Sequence, residues 1–459
     1  MLLKSKIQEI KLLLKNDNIL TCEEECYCYA QDSSNLIKPK TNPDVVVFAE
    51  TIEDVQNILK YANEHEIPVV SRGAGTNMVG SCVCNEGGIV LNFSKMNKIL
   101  EIDSVNMTAK VQPGVIVGNL KQEAEKSGLF FPPDPSNYAV STVGGAIAQS
   151  SGGAMGFKYG TIKDYVLSLK VVTADGRLMT LGANTAKDSV GYHLAQLMVG
   201  SEGTLAVIVE ATLKLLPKPE TNCAISAYFD NLRIGMIAVN KIIGSKIFPA
   251  AIDFMDKNAI MTVEDYTKCG LRTDKDCMLL LTLDGYKSSM EYQLNSAVEV
   301  LKNSGATDIK VSDEEGAQNI WKARRVAFAA TARLAPDVVT DDIIVPRENL
   351  PNIAEQCRKI AEKYNLKMCL VGHAGDGNLH PQIAVNLENE EEFKNCMEAK
   401  AEIYKATIEL GGTISAEHGV GLEKKAYVKD TVDENAIEYM KMIKRIFDSK
   451  NILNPNKIF

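Results

Sequence analysis

From about residue 43 to 219 the chain alternates short β-branched runs with glycine-rich turns, a texture that excludes a helical bundle here and demands sheets with tight connections. DVVVFAE, IPVVSRGAG, GGIVLNF, TAKVQPGV and SLKVVTADG read as strands, and TIEDVQNILKYANEH between the first two has helical apolar spacing. AVIVEATLKLL closes this part as a further strand. From Thr221 onward the pattern changes to strand, helix, strand, helix. AISAYF and CMLLLTLDG read as strands, 288–304 and AQNIWKARRVAFAATARL as helices, and two last helices are expected near 391–410 and 434–449. The opening MLLKSKIQEIKLLLKNDNIL reads as an amphipathic helix, because charges interrupt every apolar run and no cleavage site follows. The expected class is α+β, divided as 1–40, 41–220, 221–410 and 411–459.

Composition bounds the function. At 459 residues the chain exceeds one ordinary core. A net charge of -9 argues against non-specific nucleic-acid binding, which needs a basic surface. The charge-free stretch 135–157 is rich in Gly and Ser rather than Leu and Ile, so no membrane segment is expected and a cytoplasmic location follows. The eleven cysteines, including CEEECYC and CVC, lack the spacings of zinc or iron–sulfur sites and read as reduced structural thiols.

Three glycine-rich segments carry the first functional signal. VVSRGAGTNMVGS follows a strand, and its glycines let consecutive N–H groups turn toward one anion; alone, it fits a tight structural turn equally well. It does not match G-x-G-x-x-G. FFPPDPSNYAVSTVGGAIAQSSGG adds stiff prolines, small hydroxyls and bare backbone, and GSEGTLAVIVEATLKL leads from glycines into a strand. Together they look like a cradle for an extended dinucleotide.

In these segments and their order the chain resembles the FAD-binding domain of the vanillyl-alcohol oxidase / p-cresol methylhydroxylase superfamily. Within it, the chain is most similar to the FAD-linked D-2-hydroxyacid dehydrogenases: D-lactate dehydrogenases, the glycolate oxidase flavin subunit and D-2-hydroxyglutarate dehydrogenases. The resemblance implies a two-part FAD-binding domain, an α+β cap domain for substrate, and C-terminal helices returning to the FAD domain. It implies cofactor contacts at Ser71, Arg72, Gly73, Ala74, Gly75, Thr76, Asn77, Gly80 and Ser81 for the pyrophosphate. It also implies Pro133, Asp134, Ser141, Thr142, Gly145, Ser151, Gly152, Gly153, Glu202, Gly203 and Ile208 along the rest of FAD, and Asn454 of the terminal Asn-Pro motif beside the flavin. Some superfamily members attach FAD through a histidine in the first loop; Thr76 stands there in this chain, so FAD is expected to be non-covalent.

GHAGDGNLH, residues 372–380, holds two of the five histidines. With Asp376 and Gly377 at a two-residue type I′ turn, His373 would pair directly with His380 on one face, Cβ atoms about 4.5–5.5 Å apart. Two imidazoles so placed can converge on one metal ion. SAEHGVG adds Glu417 and His418 between small residues. The resemblance implies a divalent metal (zinc, manganese or iron) on His373, His380 and Glu417, with His418 as catalytic base, and Gln382, two residues beyond His380, as a substrate contact. In IWKARRVAF it selects Arg324, rather than Arg325, to hold the substrate carboxylate.

The implied reaction is oxidation of a small D-2-hydroxy acid, D-lactate first, with proton transfer to His418 and hydride transfer to the flavin. Glycolate and D-2-hydroxyglutarate are the alternatives. The hydroxyglutarate branch places a lysine for its distal carboxylate where this chain has VVTDDIIVPRENL, with Thr340, Asp341 and Asp342; a second carboxylate is expected to meet acidic neighbours there. Electrons must leave to an external acceptor, an electron-transferring flavoprotein heterodimer among the candidates. Different classes that share the fold are an alkylglycerone-phosphate synthase and a flavin-bearing electron-transfer subunit without catalysis of its own.

Overall fold

The computed structural model describes residues 4–459, apart from the side chains of 314, 315 and 317–319. It contains two compact units: 1–151, 161–218 and 417–459 form the first, and 152–160 with 219–416 the second.

The first unit has two principal sheets. In the four-stranded one, Val45–Phe48, Ile89–Asn92 and Val69–Arg72 run parallel, and Ile19–Leu20 adds antiparallel to Val45–Phe48. Its strands are near-continuous Val, Ile and Leu because a parallel sheet is covered on both faces. Ile52–His65 covers one face. Thr51 and Asp54 close a reciprocal capping box at its start, and Glu66 in the left-handed region ends it. Val55, Ile58, Leu59 and Ala62 turn inward to meet Val45, Val69 and Leu91. The five-stranded sheet is antiparallel, ordered Ile99–Asp103, Thr108–Val111, Val207–Lys214, Val166–Val172, Leu178–Gly182.

The opening segment differs from expectation: its helix spans only Lys4–Leu12, and Ile19–Leu20 is sheet instead. Asn-Asp-Asn at 16–18 is poor helix sequence and frees the next residues to pair with Val45–Phe48. The chain's far end also joins this sheet. Val69 N donates to Ile452 O at 2.8 Å, and Asn454 N donates to Val69 O at 2.8 Å.

The second unit is built on an eight-stranded sheet. Its order is Asp308–Ser312, Thr221–Phe229, Cys277–Gly285, Ala251–Asp256, Lys367–Gly372, Asn378–Val385, Asp337–Thr340, with Ile343–Ile344 also on Asn378–Val385. Every pairing is antiparallel. The helix expected over 317–334 is two, Glu314–Arg325 and Ala327–Thr331, broken at Val326 where ψ is 3°. Met255, Cys369 and Val371 of the sheet pack with Ala323, Ala327 and Ala330 of these helices. Nothing in the sequence separates 152–160 from the chain around it, yet Lys158 pairs with Asp284, and Tyr159 Oη donates to Asp284 Oδ2 at 2.7 Å. All eleven cysteines are free thiols, eight of them buried.

Candidate active site

The glycine-rich loops of the first unit meet one another closely. A Cβ on Gly73 would stand 2.1 Å from Thr142 Oγ1, so only glycine lets the first loop lie against the second. Thr142 caps Val143–Gln149, its hydroxyl accepting from Gly145 N. Along these loops Ser71 Oγ, Ser141 Oγ, Gln149 Oε1 and Asn454 Oδ1 are buried without a hydrogen-bond partner. Four such orphans along these loops call for a polar ligand, since buried polar atoms are otherwise nearly always satisfied. A flavin dinucleotide, with phosphates, ribityl hydroxyls and ring amide groups, fits that demand. Asn454 shows the logic within one side chain: its Nδ2 donates to Ser81 O at 2.7 Å and Glu202 O at 2.6 Å, which fixes Oδ1 in place.

Other candidates in this unit also make scaffold contacts. Arg72 donates to Gln31 O at 2.8 Å and lies over Tyr29, so part of its guanidinium braces the chain. Asp134 pairs with Lys121 at 3.3 Å, Pro133 is buried beside it, and the Ile208 side chain lies in the apolar core. Glu202 has φ +52° and is buried; its carboxylate accepts from Ser81 Oγ at 2.5 Å, Val420 N at 2.7 Å and Gly421 N at 2.9 Å. Burial pushes that carboxyl above its ordinary range despite these donors. Asn77 accepts from Val79 N and Ser81 N through Oδ1, while its Nδ2 donates to His418 O at 2.9 Å. Glu202 and Asn77 therefore fasten the loop carrying Glu417 and His418 to the first glycine loop. Gly75, Thr76, Gly80 and Gly203 lie in the same loops, Ala74 is exposed, and Ser151 ends this part of the unit, whereas Gly152 and Gly153 open the 152–160 segment of the second.

In the second unit the hairpin departs from its expected register. Val371, not His373, stands opposite His380. Asp376 N and Asn378 N both donate to His373 O, and Gly377 N to Ala374 O, so 373–377 form a five-residue loop. Of the two expected turn residues only Gly377 has positive φ, and a type I′ turn needs both. The slip is two residues, which leaves every side chain on its original face. His373 and His380 become diagonal neighbours with ring centroids 5.2 Å apart.

That face carries a polar end on an otherwise apolar surface. Continuing the pairs Phe254–Gly372 and Met255–Val371 by one step sets Asp253 opposite His373. Asp253 Oδ1 lies 2.8 Å from His373 Nδ1, and Oδ2 lies 2.9 Å from Arg324 Nε. Burial alone would raise the Asp253 carboxyl, but the adjacent His373 and Arg324 hold it below the ordinary carboxylate range. Arg324 is buried, whereas Arg325 is exposed. Gln382 pairs in register with Cys369 and Thr340, and its Oε1 accepts from Thr331 Oγ1 at 3.0 Å. His380 Nδ1 lies 3.3 Å from Asp341 O and 3.8 Å from Asp342 Oδ1.

The two aspartates do not act as the sequence suggested. Asp341 is turned inward, where Lys400 donates to it at 3.0 Å and Tyr404 through its hydroxyl. Asp342 accepts from Asn378 Nδ2 at 2.8 Å, Ser415 Oγ at 3.2 Å and Ala416 N at 2.8 Å. Each is engaged by donors, so neither stands as a bare negative charge. Asp342 instead holds the chain that leads into Glu417. Sequence reasoning missed Asp253 and Thr331 and gave Asp342 a different role. The available signal was Asp253 itself, a charge inside the buried run AAIDFM, because aspartate is almost never fully buried unless paired.

Among the described residues no helix is long and apolar enough to cross a membrane. Residues 43–182 match the FAD binding domain family, and residues 218–458 match the C-terminal domain of the FAD linked oxidases. The chain is 43% identical over 418 residues to glycolate oxidase subunit GlcD of Bacillus subtilis, covering 91% of this chain and 89% of that protein. It is 36% identical over 430 residues to D-lactate dehydrogenase of Anaerostipes hadrus, covering 91% and 90% respectively. The solved structure of p-cresol methylhydroxylase with substrate bound superposes with a TM-score of 0.82 at 17% identity, covering 98% of this chain and 95% of that one.

Proposed function

The chain belongs to the FAD-linked oxidases of the vanillyl-alcohol oxidase / p-cresol methylhydroxylase type, and from that premise we propose that it oxidises a small D-2-hydroxy acid, D-lactate first, to the 2-keto acid. The observation that carries this is the Asp253–Arg324–His373 array, a guanidinium and an imidazole held by one buried carboxylate. Arg324 binds the substrate carboxylate through its planar fork. Of the residues the resemblance implies, His380 and Glu417 would hold a divalent metal and His418 would take the hydroxyl proton; His373 lies outside the donor atoms close enough to share one ion. Non-covalent FAD supplies the two-electron acceptor when bound, and the metal supplies Lewis acidity toward the hydroxyl. Gln382, oriented by Thr331, lies along the substrate. Ser71, Ser141, Gln149 and Asn454 supply polar contacts to the flavin dinucleotide.

The preference for a monocarboxylate rests on Thr340 and Gln382, neither of which can neutralise a second carboxylate; Lys400 nearby is taken by Asp341. Electrons leave to an external acceptor, for which an electron-transferring flavoprotein is our candidate. The test is anaerobic mixing with D-lactate, glycolate, D-2-hydroxyglutarate and L-lactate. D-Lactate should bleach the flavin fastest, and His418→Ala should keep its flavin while reduction slows about 10²–10⁴-fold. Absence of bleaching by any of the four would sink the proposal.

A further inference from the structure

We propose that Lys444 is a positioning residue for the flavin: with Asp448 it clamps the chain that carries Asn454 and so fixes the Asn454 amide in the cofactor cradle. This rests on the assignment of Asn454 as a flavin contact. Lys444 lies in the last turn of the helix Glu434–Phe447. Each N–H of its ammonium has an acceptor. It donates to Thr204 O at 2.7 Å, to Leu453 O at 2.8 Å and to Asp448 Oδ2. Asp448 is 1% exposed and carries the hold beyond the helix. Its Oδ1 accepts from Ile452 N at 3.0 Å, and its Oδ2 from Leu453 N at 2.7 Å.

Both peptide groups that Lys444 grips adjoin the cradle. Thr204 follows Glu202 and Gly203, and Leu453 precedes Asn454. The two grips converge on one side chain, because Asn454 Nδ2 donates to Glu202 O as well as to Ser81 O. Asn454 needs the hold: its φ is +42°, in the left-handed region. Its Oδ1 is buried with no hydrogen bond, an acceptor that serves a ligand only while the backbone beneath it stays put. Stability alone does not account for the clamp. A buried ion pair gives little net stability over apolar side chains of the same volume. What Lys444 and Asp448 add over such side chains is direction.

The experiment uses the full-length flavoprotein, with the FAD dissociation constant read from the fluorescence of flavin released on dilution. Asn454→Ala should weaken FAD binding about 10-fold, the loss of one hydrogen bond to a ligand. Lys444→Met should weaken it by a similar factor. The double variant should bind FAD no more weakly than Asn454→Ala alone, because the clamp acts through that residue; a loss near the ~100-fold product of two independent effects overturns the proposal. Wild-type affinity in Lys444→Met overturns it too. Lys441→Met, on the same helix, should bind FAD as the wild type does, and a loss equal to that of Lys444→Met would mark a general effect of the helix and overturn the proposal. If Asn454→Ala binds FAD normally, the flavin-contact assignment fails and the proposal with it, whereas flavin bleaching by hydroxy acids still reports on the reaction. If Lys444→Met does not fold, Asp448→Asn takes its place in the same cycle with the same expected outcomes.

Discussion

Asp253 and Asp256 sit three residues apart on one strand, both buried, and their carboxyls move in opposite directions. Asp256 is 0% exposed; burial pushes its pKa up, and Arg358 at 3.3 Å does not fully offset this. Its Oδ1 accepts from Ala259 N at 2.9 Å and Leu370 N at 3.1 Å, so it caps a helix and ties two strands. Asp253 has the same burial penalty, but His373 and Arg324 outweigh it. Strand alternation sends the two to opposite faces. One carboxylate is bound mainly by backbone amides that cannot move. The other is bound by two side chains whose remaining nitrogens can engage ligands. A buried charge therefore signals chemistry here only where its partners have chemistry left to do.

Cutting the partner of each carboxylate would break this contrast if the outcomes matched. Arg324→Ala should have the largest effect: kcat/KM for D-lactate falls roughly 10²–10³-fold, because the carboxylate anchor is lost and Asp253 is left buried beside it. Flavin content should stay unchanged, which steady-state kinetics and flavin absorbance would check. Arg358→Ala should instead cost roughly 2–3 kcal/mol in urea unfolding, with kcat per folded molecule preserved. A smaller probe on the site face is Thr331→Val, which removes the hydroxyl that orients Gln382. About 1 kcal/mol is expected, seen as a several-fold rise in KM with stability nearly constant. The smallest effect is on pH dependence. The native Asp256 carboxyl holds its proton to higher pH than the unfolded one, so stability should fall as pH rises from the ordinary aspartate pKa of about 3.9 to the raised native value. Asp256→Asn should flatten that part of the stability–pH curve, read by thermal melts across the range.

The sequence showed elements better than contacts. Val45–Phe48, Ile52–His65 and Val207–Lys214 were legible because apolar period and caps agree locally. The face shared by His373 and His380 was legible for a similar reason: strand period is two, and a two-residue error in register preserves it. The turn itself was not legible, since Asp-Gly favours a tight hairpin only when both residues take positive φ, and Asp376 does not. Asp253 was invisible as a partner of His373 because 120 residues separate them. Asp341 was misjudged because the Lys400 and Tyr404 that neutralise it lie on a helix far along the chain. Local pattern reports which face a residue occupies; long-range pairing decides what it meets there.

The edge at Val69 is completed by Ile452–Asn454, residues far from it in the sequence. The glycine loop after Val69 gains that neighbour only through a contact of long sequence separation, whose loop-closure entropy the rest of the unit must offset. A change that disturbs the backbone at Ile452–Asn454 would therefore reach the glycine loop that follows Val69 without touching any residue near that loop in sequence.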